Sequence, residues 1–287
     1  MIPEGILARW KEQEAPWKYL QMVEQDLILS RILIEIYKQP KIASNLAFRG
    51  GTALNKLYIK PPARFSEDID LVQIRSESIG ETLDQLRVSL DYWLGKPKWK
   101  ITERSVKLYY TYQSIDNEPI KIKIEINTTE HFHLEDLQTK TLSVNSEWFT
   151  GETGILTYQL EEMMATKFKA LYQRRKGRDL FDSWMMLRHA DLDLNRTISL
   201  LEKYCERVEE RITRALFERN LILKRDHQEF KMDMEPLLAV GTEWNFDEAF
   251  NTIMTELVPK LKGEAWRGED GEGYDFYKQL LEIDHGI

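Results

Sequence analysis

Residues 48–74 read FRGGTALNKLYIKPPARFSEDIDLVQI, and their order decides the fold. A short apolar segment ends in the pair Gly50 and Gly51, and helical spacing follows to about Tyr58, with Thr52 as the expected N-cap. The stretch KPPAR at 60–64 breaks that helix. From Phe65 to Ile74 the period changes to two, placing Ile69, Leu71 and Gln73 on one face and Asp68, Asp70 and Val72 on the other. This predicts a strand that carries paired carboxylates.

Outward from this segment the pattern extends both ways. Residues 17–38 place Leu20, Val23, Leu27, Ile32 and Ile36 at helical spacing without a Gly or Pro. Residues 76–95 read as a second helix, 100–113 (KITERSVKLYYTYQ) as a single strand, and DNEP at 116–119 as a turn. The segment IKIKIEIN then alternates strictly: Ile120, Ile122, Ile124 and Ile126 face one way, Lys121, Lys123, Glu125 and Asn127 the other. After about residue 155 helical spacing takes over, in LEEMMATKFKALYQRR and DLFDSWMMLRHA and on to about residue 226. The expected architecture is α+β, a small mixed sheet flanked by helices over 1–154, followed by a mainly helical domain over 155–287. The Gly- and acid-rich tail from 263 is expected to be a loop before a short final helix.

With 42% hydrophobic and 11% aromatic residues, the 287-residue chain can fill a core. No apolar run approaches membrane-spanning length and the N-terminus lacks the apolar stretch of a signal peptide, so a cytoplasmic protein without a membrane partner is expected. A single cysteine, Cys205, excludes an internal disulfide and a cysteine-based zinc site. His131 and His133 lack metalloprotease spacing and read as surface residues. A net charge of −8 argues against a protein that coats nucleic acid, but not against a local basic patch. The densest such patch is Lys167, Lys169, Arg174, Arg175, Lys176 and Arg178, in which Lys167, Arg174 and Arg178 share one face if the helix continues that far.

Transfer of a phosphoryl-type group from a nucleotide needs a divalent metal held by carboxylates, a donor-rich cradle for the triphosphate, and a third carboxylate near the attacking oxygen. Asp68 and Asp70, one residue apart on a strand, can reach the same magnesium ions, expected to number two. Gly50, Gly51 and Thr52 open a helix whose free N–H groups and dipole suit phosphate, with Lys56 one turn on and Ser66 just before the acidic pair. Glu125 supplies the third carboxylate, as ligand or as base, if its strand neighbours that of Asp68 and Asp70. Each feature alone has an ordinary explanation as a tight turn, solvated acids or a wet strand face. Met163, Met164, Trp184, Met185 and Met186 read as core, and Tyr109, Tyr110 and Tyr112 as packing residues or a base-stacking surface.

FRGGTALNKLY followed by RFSEDIDL resembles the AbiEii/AbiGii toxin family of nucleotidyltransferases, within the DNA polymerase β-like superfamily. KFKALYQRRKGRDLFD resembles that family's downstream motif, and the resemblance spans roughly 45–185. It implies that Lys167, Arg178 and Asp179, with Asp182 as a further position, complete the nucleotide site. It also implies an NTP substrate, a polymerase β-like domain, an acceptor that is transfer RNA, and a role as the toxin of a type IV toxin–antitoxin pair with a cognate antitoxin. Thr52 replaces a frequent serine and Glu125 the superfamily's usual aspartate. Two other readings remain: an aminoglycoside-type nucleotidyltransferase, which calls for an acidic cleft, and a catalytically inactive binding module.

Overall fold

The computed structural model describes residues 2–268, so the expected final helix lies outside the described residues. The described residues form two compact units, one of 2–159 with Leu237–Thr242, the other of Leu160–Pro236 with 243–268. Among the described residues no helix is long and apolar enough to cross a membrane.

The first unit is built on a seven-stranded mixed sheet. Its strands are β1 (Leu46–Arg49), β2 (Asp68–Gln73), β3 (Lys98–Ile101), β4 (Ser105–Gln113), β5 (Pro119–Asn127), β6 (Gln138–Asn145) and β7 (Thr150–Thr157), in the spatial order β3-β4-β5-β2-β1-β7-β6. The β2–β5 and β1–β7 pairs are parallel and the others antiparallel. The helices are α1 (Glu4–Gln13), α2 (Leu20–Tyr37), α3 (Pro40–Asn45), α4 (Gly50–Leu57) and α5 (Gly80–Leu94). Period-two alternation sends Ile69, Leu71, Val106, Leu108, Tyr110, Ile122, Ile124 and Ile126 to the buried face. Packing of α2 on α5 and β7, and of α5 on β4, contributes to the first unit's core. The opposite face keeps the polar partners of that alternation.

Two local expectations are corrected, and one hairpin goes beyond them. Residues 100–113 are not one strand: a turn at 102–104 splits them into the β3–β4 hairpin, pinned where the Ser105 N–H donates to Thr102 Oγ1 at 3.0 Å. The β6–β7 hairpin carries no alternating apolar signal strong enough to be read, because its sequence is threonine- and serine-rich and half exposed. Helix α4 begins earlier than expected. Arg49, in extended conformation, is its N-cap without a side-chain cap, and Thr52 lies inside the first turns.

In the second unit α6 (Leu160–Gln173) packs against α7 (Gly177–His189), α8 (Leu194–Arg207) and α9 (Arg214–Arg225), with α10 (Gln228–Met232) on α7 and α9. The last α-helix among the described residues, α11 (Phe246–Thr252), runs into a π turn over Ile253–Leu257. Met163, Met164, Trp184 and Met186 are buried, as core residues should be, whereas Met185, read with them as core, is only half-buried. The helix does not continue from Lys167 to Arg178, which removes the single basic face that continuity would have made. The helix ends before 174–176 and a new one starts at Gly177, where an added Cβ would lie 2.3 Å from the Phe230 carbonyl oxygen.

Candidate active site

Antiparallel pairing of β1 with β2 and parallel pairing of β2 with β5 set the register of the polar face. Arg49 stands opposite Asp70, Asp70 opposite Glu125, and Asp68 opposite Lys123. Adjacent strands lie about 4.8 Å apart, so three carboxylates share one small area of sheet. Asp68 and Asp70 are half-buried, and burial pushes the Asp70 carboxyl above its ordinary range, with Lys123 opposing and Asp68 adding to the rise.

A lysine sits among these acids. Lys123 Nζ lies 3.0 Å from Asp68 Oδ2 and 3.2 Å from Glu125 Oε2, and Lys107 Nζ lies 3.0 Å from Glu125 Oε1. Burial works against the Lys123 ammonium, yet Asp68, Asp70 and Glu125 hold its pKa above the usual lysine range. Glu125 moves the other way: burial opposes its charge, but Lys107, Lys123 and the Ser105 hydroxyl, which donates at 3.0 Å, together keep the carboxyl below its ordinary value. Arg49 pairs with Glu130 at 2.5 Å. Arg49, Ser105, Lys107 and Lys123 were not singled out from the sequence; for Lys123 the signal was its place two residues before Glu125 on the same strand face.

Both glycines are demanded by their neighbours, Gly50 by one of these acids. Gly50 has φ +82°, and a Cβ there would come within 2.5 Å of Asp70 Oδ2. A Cβ on Gly51 would meet Arg64 Nη2 at 2.4 Å and Ser66 Oγ at 3.2 Å. Arg64 is 1% exposed and donates to the Phe65 carbonyl at 3.0 Å, so it has little room to yield. Gly51→Ala is therefore expected to cost about 1–3 kcal/mol of stability through overpacking, read as a lower urea midpoint. An unchanged midpoint would show that Arg64 moves freely.

Residues 63–66 are themselves tied down. A short strap at 237–242 accepts the Phe65 N–H at Leu237 O (2.7 Å), and the Ala239 N–H donates to Ala63 O (3.0 Å). Thr52 Oγ1 bonds the Asp68 carbonyl and shares a hydrogen bond with Ser66 Oγ at 2.8 Å. At 2% exposure Thr52 therefore links α4 to β2 from inside. Lys56 also points away from open solvent: its ammonium is 2.6 Å from the buried Asp26 carboxylate, which accepts from Trp10 Nε1 as well. These residues border a cavity of ≈ 90 Å³, lined also by Trp17 and Asn55. Its polar lining suits ordered water. Trp17 Nε1 and Asn55 Oδ1, buried without a protein partner among the described residues, are the groups such water would satisfy.

The downstream residues form a cluster within the second unit. Lys167 Nζ lies 3.2 Å from Asp179 Oδ1 and 2.7 Å from Asp182 Oδ2, and both carboxylates are fully buried. Arg174 grips Asp179 with two bonds, 2.5 and 2.8 Å. Burial opposes the Asp179 charge most strongly, but Lys167 and Arg174 outweigh it and hold the carboxyl below its usual range. Arg178 pairs with Asp233, Arg175 with Glu229 and Lys169 with Glu210. The basic cluster of the sequence is thus largely neutralised by its own neighbours. His131 and His133 bind backbone carbonyls, of Gln73 at 2.8 Å and Glu135 at 2.7 Å.

Among the described residues no group of three His, Cys, Asp or Glu side chains forms a ready metal cage. The donors nevertheless fit a hard divalent cation. Asp68 and Asp70 offer only oxygen, from one face, and their need for positive charge is visible in the lysine drawn to Asp68 and Glu125.

A mixed sheet with an Asp-x-Asp strand, a facing glutamate and a glycine turn opening the adjacent helix is the framework of a nucleotidyltransferase. The chain belongs to the AbiEii family: the sequence profile of the nucleotidyl transferase AbiEii toxin of type IV toxin–antitoxin systems matches residues 31–252. It is a toxin-family nucleotidyltransferase. Among solved structures it is similar to MenT4, a nucleotidyltransferase toxin from Mycobacterium tuberculosis, at 15% identity and a TM-score of 0.59, over 99% of both chains. It is also similar to JHP933 from Helicobacter pylori, at 17% identity and a TM-score of 0.52, over 92% of this chain and 95% of that one. At such identities the likeness speaks for the fold. A search of curated protein sequences finds no match.

Proposed function

We propose that the protein transfers a nucleoside monophosphate from an NTP to a hydroxyl of an RNA acceptor, namely transfer RNA, in a magnesium-dependent reaction. We also propose that it acts in the cytoplasm as a toxin countered by a cognate antitoxin. The observation that carries the reaction is the register that lays Asp68, Asp70 and Glu125 side by side at the glycine turn. Magnesium, when bound, would supply Lewis-acid stabilisation of charge on the phosphates. Asp68 and Asp70 hold it, and Glu125, kept ionised by Lys107, Lys123 and Ser105, suits a ligand or a positioning group better than a base.

Backbone N–H groups of Gly50 and Gly51 and the Ser66 hydroxyl bind the β- and γ-phosphates at the start of α4. Thr52 and Lys56, expected from the sequence to touch phosphate, act from behind: Thr52 fixes β2 to α4, and Lys56 is held by Asp26. In the transfer, the acceptor oxygen bonds to the α-phosphorus as the bond to the bridging oxygen breaks. Pyrophosphate leaves with that oxygen, and the hydroxyl proton passes to solvent. Lys167, Asp179 and Asp182 serve as a buried scaffold, and Arg178 is fixed by Asp233.

Calorimetric titration with each NTP tests the reading against that of an inactive binding module. Binding is expected to tighten at least tenfold when magnesium is present. Equal affinity with and without the metal would contradict it.

A further inference from the structure

The carboxylates sit at the inner end of a lysine-lined path across the sheet. One cross-strand row runs from Lys100 on β3 to Lys107 on β4, Glu125 on β5, Asp70 on β2 and Arg49 on β1, each directly opposite the next. The neighbouring row runs from Lys98 to Tyr109, Lys123 and Asp68. Lys121, two residues before Lys123, shares this face through the alternation of β5. From Asp70 to Lys100 is three strand steps, about 14 Å at about 4.8 Å per step.

Lys98, Lys100 and Lys121 are exposed, and among the described residues no carboxylate lies within ion-pair distance of them. Lys100 and Lys107 are like charges in directly opposed positions, an arrangement that destabilises a sheet unless an anion bridges it. Lysines on an edge strand also discourage strand addition by another chain. That role accounts for Lys98 and Lys100 alone. It does not account for Lys121 on an inner strand, for a half-buried Tyr109 between Lys98 and Lys123, or for rows that lead to Asp68 and Asp70.

We propose that the outer face of β3, β4 and β5 is the acceptor track of the enzyme, on which Lys98, Lys100 and Lys121 take phosphates of the RNA backbone and Tyr109 stacks on a base. The inference rests on the RNA acceptor proposed above and assigns its binding to this sheet face, not to the basic residues around α6 and α7. Phosphate contacts of this kind position a strand without reading its sequence, and a stacked aromatic tolerates any base. Lys107 and Lys123 complete the path and carry it to Glu125 and Asp68. The acceptor is thereby led along a line of positive charge to the carboxylates.

The test is fluorescence anisotropy of labelled bulk transfer RNA, over a range of salt, with the wild type, Lys98→Ala/Lys100→Ala/Lys121→Ala, and Lys169→Ala/Arg175→Ala, each checked for an unchanged thermal midpoint. The sheet variant is expected to lose at least tenfold in affinity. Its slope of log affinity against log salt should fall by about 2–3, as the loss of three phosphate contacts requires. The other variant should bind as the wild type does. RNA bound equally by the wild type and the sheet variant, or weakened only by Lys169→Ala/Arg175→Ala, overturns the track while leaving an RNA acceptor in place. A wild type that binds no RNA overturns both. Polyglutamate binding with the same lysine dependence and equal affinity assigns the face to an acidic protein and also overturns it.

Discussion

Replacing Asp70 by asparagine is expected to lower nucleotidyl transfer by about 10³-fold or more, equivalent to ~4 kcal/mol of transition-state stabilisation, without loss of fold. The side chain is nearly isosteric, so Gly50 keeps its close approach to Asp70. What disappears is a charge that burial, Asp68 and Glu125 all disfavour. The thermal midpoint should therefore hold or rise while the reaction fails, because a neutral amide is a poor partner for a divalent ion. Steady-state rates and a melting curve on the same preparation check both halves. Activity within tenfold of wild type would remove Asp70 from the chemistry.

The opposite pattern is expected at Asp179. Asp179→Asn leaves Lys167 and Arg174 without the carboxylate they share, in a site where Asp179 is fully buried and the Lys167 side chain 6% exposed. Breaking a buried charge pair typically costs about 3–5 kcal/mol, which lowers a thermal midpoint by roughly 6–20 °C at 2–4 °C per kcal/mol. The pH dependence follows in sign. Because the folded carboxyl titrates below its unfolded value, its contribution is present above about pH 3.9 and is lost as the pH falls through the lower folded value. The wild type should lose stability along that limb and the variant should be flatter there. A variant as stable as wild type would show that Asp179 is not the anchor of this cluster, and would favour a direct nucleotide role for Lys167.

The parts of the fold legible in the sequence were those with one strong period. IKIKIEIN and EDIDLV each have a core face and a wet face, and their alternation determined which side chains could meet. It could not determine that β2 and β5 are neighbours, since strand order depends on contacts distant in sequence. That adjacency is what turned two separate acidic signals into one site. The β6–β7 hairpin was invisible because short polar residues fill its exposed positions. The split of 100–113 was missed because Thr102, Glu103 and Arg104 lack the Gly or Pro that marks most turns.

The charge reading illustrates the same limit. A run of cations between Lys167 and Arg178 was plain in the sequence, but their partners Asp182, Glu210, Glu229 and Asp233 lie further along the chain and become neighbours only on folding. Lys98, Lys100, Lys107, Lys121 and Lys123, scattered among apolar residues, attracted no notice as a group, though pairing aligns them in rows. A local basic run is thus a weaker guide to free positive charge than the alternating face of a sheet whose register is known.

The central claim, nucleotidyl transfer from Asp68, Asp70 and Glu125, is tested most directly by incubating the protein with magnesium, total cellular RNA and each α-³²P-labelled NTP in turn, beside Asp70→Asn. Label entering RNA with the wild type alone is the predicted result, and the nucleotide that labels is the substrate. Equal labelling by Asp70→Asn, or none by the wild type with any of the four, would contradict it.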